Sequence, residues 1–148
     1  MNSKFKSMKK IIPIAVILIT FSTINAFAQT KAPSAVVGSF ERTYANAERS
    51  TWTTVHDLYR VDFTLQDESL TAFFNADGDL IAASRNITPV LLPIFLKSSL
   101  KKQFSNYTVS SLFEVDGPDG IYYYAKVNDQ KSQIMLQSTS SGDWVVKR

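Results

Sequence analysis

Cysteine is absent from this 148-residue chain, and histidine occurs once. The first absence excludes disulfides, thiolate nucleophiles, thiolate metal sites and a lipid-modified N-terminal cysteine. The second leaves His56 as the sole imidazole available to chemistry. A membrane-length apolar run is also lacking. The strongly apolar stretch Ile11 to Ile19 is interrupted by Pro13 and followed by Thr20, Ser22, Thr23 and Asn25, short of the roughly 20 apolar residues a spanning helix needs. Finally, no acidic residue stands before position 29, where Lys4, Lys6, Lys9 and Lys10 occur.

What is present at the N-terminus is a basic start, a short apolar centre and the small-x-small exit Ala26-Phe27-Ala28. These are the three parts of a secretory signal peptide. The predicted cut falls between Ala28 and Gln29, and the protein is expected to be exported, periplasmic or extracellular. Met8 serves equally well as the start, and a retained anchor is the rival reading of residues 11–28. Cleavage changes the charge reading. The formal net charge of +3 belongs to the whole chain, whereas residues 29–148 carry twelve basic and thirteen acidic groups. No basic stripe remains to neutralise a run of phosphates, which excludes nucleic acid as a partner.

The rest of the chain alternates between helical and strand patterns. Ser34 is a candidate N-cap, and Val37, Phe40 and Tyr44 form an amphipathic stripe behind it. Strand patterns follow at Ser50 to Val55, Tyr59 to Leu65, Leu70 to Phe74 and Leu80 to Ser84. In the second of these, Tyr59, Val61, Phe63 and Leu65 face one way and Arg60, Asp62 and Thr64 the other, the period of a half-buried strand. Asp77-Gly78 marks a hairpin. Leu92-Pro93 opens a second helix, with Leu96, Leu100 and Phe104 on one side and Lys97, Lys101 and Lys102 beside them. Four more strands are expected: Tyr107 to Glu114, Ile121 to Val127, Ser132 to Gln137 and Asp143 to Val146. The halves overlay at an offset of about 62 to 64 residues as a repeat of pattern.

On these features the chain resembles a known group. The exported start, the aromatic near Tyr44, Trp52, Tyr59-x-Val61-x-Phe63, Phe73-Phe74 before Asp77-Gly78, and Leu92-Pro93 look like the PepSY-like, beta-lactamase-inhibitor-like exported domains of Bacteroidetes-type bacteria. The resemblance spans residues 34–148. It implies an α+β fold of tandem α-β4 repeats, with two helices packed on one face of an antiparallel sheet. The corresponding division is a signal peptide, 1–28, and a single domain, 29–148, made of halves at about 34–85 and 89–148. It also implies an inhibitory or protein-binding role outside the cytoplasm, with no catalytic residues to carry over.

Chemistry finds little footing. His56 beside Asp57 lacks a nucleophile elbow and reads as a strand end and turn. Asp77-Gly78-Asp79 resembles the start of a calcium loop, but Thr88 stands where that frame requires Glu. No enzyme activity, metal or cofactor is therefore expected. The suggestive cluster is Tyr122-Tyr123-Tyr124. Alternation puts Ile121, Tyr123, Ala125 and Val127 on the core face and Tyr122, Tyr124 and Lys126 on the other. The candidate protein-binding residues are accordingly Arg60, Asp62, Tyr122, Tyr124 and Lys126, an outward face for a protein partner in the cell envelope; the rival reading is that the tyrosines pack on each other or against a loop. No membrane partner is expected after signal cleavage. The alternative function is a small-ligand carrier or sensor with a pocket between helices and sheet.

Overall fold

Prolines open both helices. The computed structural model describes residues 31–139 and 141–147, so the predicted signal segment 1–28 lies outside the described residues. Helix α1 is Ser34–Thr43 and helix α2 is Ile94–Gln103. Pro33 and Pro93 occupy the N-cap positions at φ −56° and −49°, and their carbonyls accept from Val37 and Lys97 N–H at 3.0 Å. Proline suits this site because it donates no N–H and its φ is already set. Ser34 is thus the first helical residue and not the cap, and no side chain caps either helix. Both helices end alike, with Tyr44 and Phe104 N–H donating to the carbonyls of Phe40 and Leu100. The buried stripe of α1 is Val36 and Phe40, one residue before the expected Val37.

Eight strands follow the order β1 Glu48–Val55, β2 Leu58–Leu65, β3 Glu68–Phe74, β4 Leu80–Asn86, β5 Thr108–Gly117, β6 Gly120–Asn128, β7 Gln133–Ser138 and β8 Trp144–Lys147. Each pairs antiparallel with its chain neighbour, giving one sheet in the order β1 to β8. The β2–β3 turn is a two-residue connection with Gln66 and Asp67 at φ 50° and 65°, the left-handed pair that matches sheet twist. At the β3–β4 turn Gly78 has φ +88°, and a Cβ there would sit 2.8 Å from the Ala35 carbonyl oxygen. Glycine therefore lets this turn dock on the first turn of α1.

The architecture corrects the expected tandem α-β4 arrangement. A single continuous eight-stranded sheet dominates, and the helices are two short elements of ten residues each. Two physical facts make the difference. First, β4 pairs directly with β5, from Ala83↔Asp116 to Asn86↔Phe113, so the ladder runs unbroken across the middle of the chain. Second, the sheet buries side chains on both faces. On one face α1 packs Val36 and Phe40 against Trp52, Val61, Phe63, Ala72 and Phe74. On the same face α2 packs Leu96 and Leu100 against Leu112, Ala125, Val127, Leu136 and Trp144. The third cluster, Leu58, Phe73, Ala82, Phe113, Val115 and Tyr124, contains no helical residue. Phe73 and Tyr124, on β3 and β6, are each only 1% exposed. A flat sheet face without a cover leaves its side chains in water. Their burial means that the sheet curls toward its helix-free side, with small Ala82 and Ser84 of β4 between the larger residues.

Candidate functional site

Strand register shows which residues share the helix-free face, because directly paired residues point the same way. One row across the sheet reads Thr51, Asp62, Thr71, Ser84, Val115, Tyr122. A second reads Thr53, Arg60, Phe73, Ala82. A third reads Asn86, Phe113, Tyr124, Gln137, Val145. Lys126 belongs to a fourth, with Ser111, Met135 and Lys147. Arg60, Asp62, Tyr122, Tyr124 and Lys126 are therefore on one face, but not in one cluster. Asp62 and Tyr122 are four strands apart, about 19 Å along the ladder at the usual strand spacing.

The residues of this set differ in environment. Tyr124 is floor rather than rim. Burial, followed by the neighbouring Tyr122 phenol, pushes its hydroxyl up to about 12. Tyr122 and Lys126 are half-buried. On β2, one carboxylate oxygen organises the polar part. Asp62 Oδ1 accepts from Arg60 Nη2 at 2.8 Å, Arg60 Nε at 3.2 Å and Thr71 Oγ1 at 2.6 Å. Arg60 and Asp62 are two residues apart on one strand, so alternation brings them together on one side.

Beside this arrangement the face opens into a polar cleft of about 280 Å³. Its lining includes Arg49, Thr51, Asp62, Thr64, Ser69, Thr71, Ser84, Asn86 and Phe113. Arg49 reaches it through an irregularity. Glu48 pairs with Thr64 and Thr51 with Asp62, so two residues of β1 face one of β2, and Arg49 takes φ 54°. Such a bulge re-aims a side chain and spoils an edge for pairing with another strand. Thr71 and Ser84 are 6% and 5% exposed at the floor. Sequence reasoning missed these hydroxyl residues. The available signal was polar residues at the phase opposite Val61, Phe63 and Ala72, and it could be read only once the order of the strands was known.

The helix-covered face carries a different polar group. Arg85 Nε bonds Glu114 at 2.9 Å and its Nη1 lies 3.6 Å from Glu68. Burial and then Glu114 raise the Tyr123 hydroxyl, and burial and then Asp116 raise that of Tyr44. These groups tie β3, β4 and β5 together. A second groove, of about 250 Å³, lies under α2, among Leu92, Leu100, Phe104, Val109, Leu112 and Val127 with Lys97 and Lys101 at its wall. His56 is exposed in the β1–β2 turn at φ 53°. Among the described residues no three His, Cys, Asp or Glu side chains gather as a metal site. No described helix is long and apolar enough to cross a membrane.

No protein-family model and no curated protein matches the chain. Solved structures match across most of it. A candidate periplasmic protein from Bacteroides eggerthii superposes with a TM-score of 0.73 at 18% identity, over 80% of this chain and 88% of its own. A BLIP-like protein from Bacteroides fragilis gives 0.69 at 15% identity, over 80% and 86%. A DUF2874 family protein from Bacteroides uniformis gives 0.73 at 16% identity, over 78% and 87%. At these identities the likeness is one of fold.

Proposed function

We propose that the chain is an exported binding module that holds a protein partner of the cell envelope on its helix-free face. In this reading residues 1–28 are removed on export and residues 29–148 form one domain. The observation that carries it is the cleft itself. The sheet curls round a dry aromatic floor of Phe73, Phe113 and Tyr124, yet keeps beside it a hydroxyl-lined space of about 280 Å³. Polar groups gathered in a concavity contribute less to folding than an apolar filling, so their value lies in meeting another molecule. Arg60 and Tyr122 are of the residue types enriched where proteins meet, and Asp62 and Lys126 add charge on the same face.

The neighbours support this placement: one is named for the periplasm and another as BLIP-like. The beta-lactamase-inhibitor-like character of the sequence agrees with the second. Inhibition of a lactamase or peptidase is the narrower form of the same reading, and a non-enzymatic role goes with it. Affinity capture from periplasmic extract tests it, with wild-type protein and a Thr64→Arg/Tyr122→Ala variant as baits. The variant loses a partner that a Glu41→Ala control on the outer side of α1 retains. Identical partner lists from all three baits would refute the assignment of this face.

A further inference from the structure

The two helices sit over matching registers filled with different residues. Trp52↔Val61↔Ala72 under α1 corresponds to Leu112↔Ala125↔Leu136 under α2, and Phe63↔Leu70 corresponds to Val127↔Ile134. Phe40 of α1 has the place that Leu100 has in α2, each accepting at its carbonyl the N–H that ends the helix, from Tyr44 and Phe104. Under α1 the space is packed with rings. Phe40 lies 5.4 Å from Trp52 and 5.0 Å from Phe63, and Tyr44 lies 4.7 Å from Phe63, measured between centroids.

Under α2 the same positions hold Leu100, Leu112 and Val127. Two rings remain beside them, Phe104 and Tyr107, with centroids 5.9 Å apart, while Trp144 lies toward the other end of the helix, where its Nε1 donates to the Leu96 carbonyl at 3.0 Å. The space left between these rings and the smaller side chains is the groove of about 250 Å³. Interiors close such spaces when nothing opposes it, since unfilled apolar volume costs stability. This fold demonstrably closes the equivalent space with aromatics in its first half.

Charge distinguishes what fits there. Lys97 and Lys101, one helical turn apart, both line the groove. Among the described residues neither has a carboxylate within salt-bridge distance. No acidic residue occurs between Asp79 and Glu114, the segment that contributes the connector, α2 and the start of β5. The acids that hydrogen bonds bring near are Asp143, which accepts from Gln103 at the end of the helix, and Asp129, which accepts from the hydroxyl of Tyr107 on the far side of the groove from the lysines' helix.

We propose that this groove binds a single-chain anionic amphiphile, of which a medium-chain fatty acid is the simplest member. Its apolar tail lies against Leu100, Leu112 and Val127, and its carboxylate meets Lys97 and Lys101. The site is on the helix-covered face and is independent of the protein-binding face proposed above.

The test is a titration of purified protein with sodium decanoate below its micellar concentration, followed by the methyl NMR signals of Leu100, Leu112 and Val127. Decylammonium, with the same tail and opposite charge, is run in parallel. Saturable shifts of those methyls are expected with decanoate, and binding at least about tenfold weaker with decylammonium. Lys97→Glu/Lys101→Glu reverses that preference, and because both residues are exposed this variant keeps the fold. Val109→Phe, which adds a ring at the partly exposed wall of the groove, abolishes the shifts. Equal shifts with both amphiphiles, shifts unchanged in the charge-reversed variant, or no shift of these methyls would each overturn the proposal.

Discussion

Tyr124 provides the sharpest test of the curled sheet. Its ring is 1% exposed on a face that no helix covers, so its burial comes from the curvature alone. Truncation to alanine removes a buried aromatic ring, at a cost of about 3–5 kcal/mol. For a domain of this size that is a fall in Tm of about 12–20 °C. Tyr122→Ala, two residues away and half-buried, costs about 1 kcal/mol. Alkaline titration adds a second, independent readout. The Tyr124 hydroxyl is pushed from 10.0 up to about 12 in the fold. Between those values the unfolded chain has released the proton and the folded one has not, so stability falls as pH rises. The stability is fully present below pH 10, and about 2–3 kcal/mol is lost by pH 12. Tyr124→Phe removes that portion of the slope, leaving the contributions of Tyr44 and Tyr123, which have the same sign. Thermal melts between pH 7 and 11.5, with phenolate absorbance near 295 nm, measure both effects. A Tyr124 that ionises near pH 10, or a Tyr124→Ala variant as stable as Tyr122→Ala, would refute the curvature argument.

Three further outcomes follow from the geometry. Gly78→Ala destabilises by about 2 kcal/mol or more, since left-handed strain adds to a Cβ placed 2.8 Å from the Ala35 carbonyl oxygen. Gly120→Ala, at φ +112° with nothing within 4 Å, shows the strain alone, and chemical denaturation separates the two. Trp144→Phe keeps the ring volume in large part but leaves the Leu96 carbonyl without its indole donor. A loss of about 1–2 kcal/mol is expected in urea melts. Arg85→Ala costs about 1 kcal/mol or less, because its ion pairs to Glu114 and Glu68 are partly solvated and such pairs are weak.

The strands were legible in the sequence wherever one face is apolar and the other polar. Tyr59 to Leu65 is the clearest case: Val61 and Phe63 lie under α1, and Arg60 and Asp62 share the opposite side. The alternation at Ile121 to Val127 likewise separated Ala125 and Val127 from Tyr124. What alternation does not encode is whether the second face is wet. That depends on curvature, which arises from small residues at Ala82 and Ser84 and from bulges such as the one at Arg49. Tyr124 therefore lies on the expected face, but its ring is packed into a core there. The continuous sheet was missed for a similar reason. The Arg85↔Glu114 pairing joins strands separated by α2, and no local pattern announces a ladder that closes across a helix. The hydroxyl cleft was unreadable because Thr51, Thr64, Ser69 and Ser84 are ordinary strand residues one at a time. Only the register assembles them.

The central claim is that the helix-free face meets a protein partner. A photo-crosslinking amino acid placed at position 64, on that face, and separately at position 41, on the outer side of α1, tests it most directly in the living producer cell. The account predicts a discrete protein adduct from position 64 and none of that mass from position 41. No adduct from position 64, or the same adduct from both positions, would contradict it.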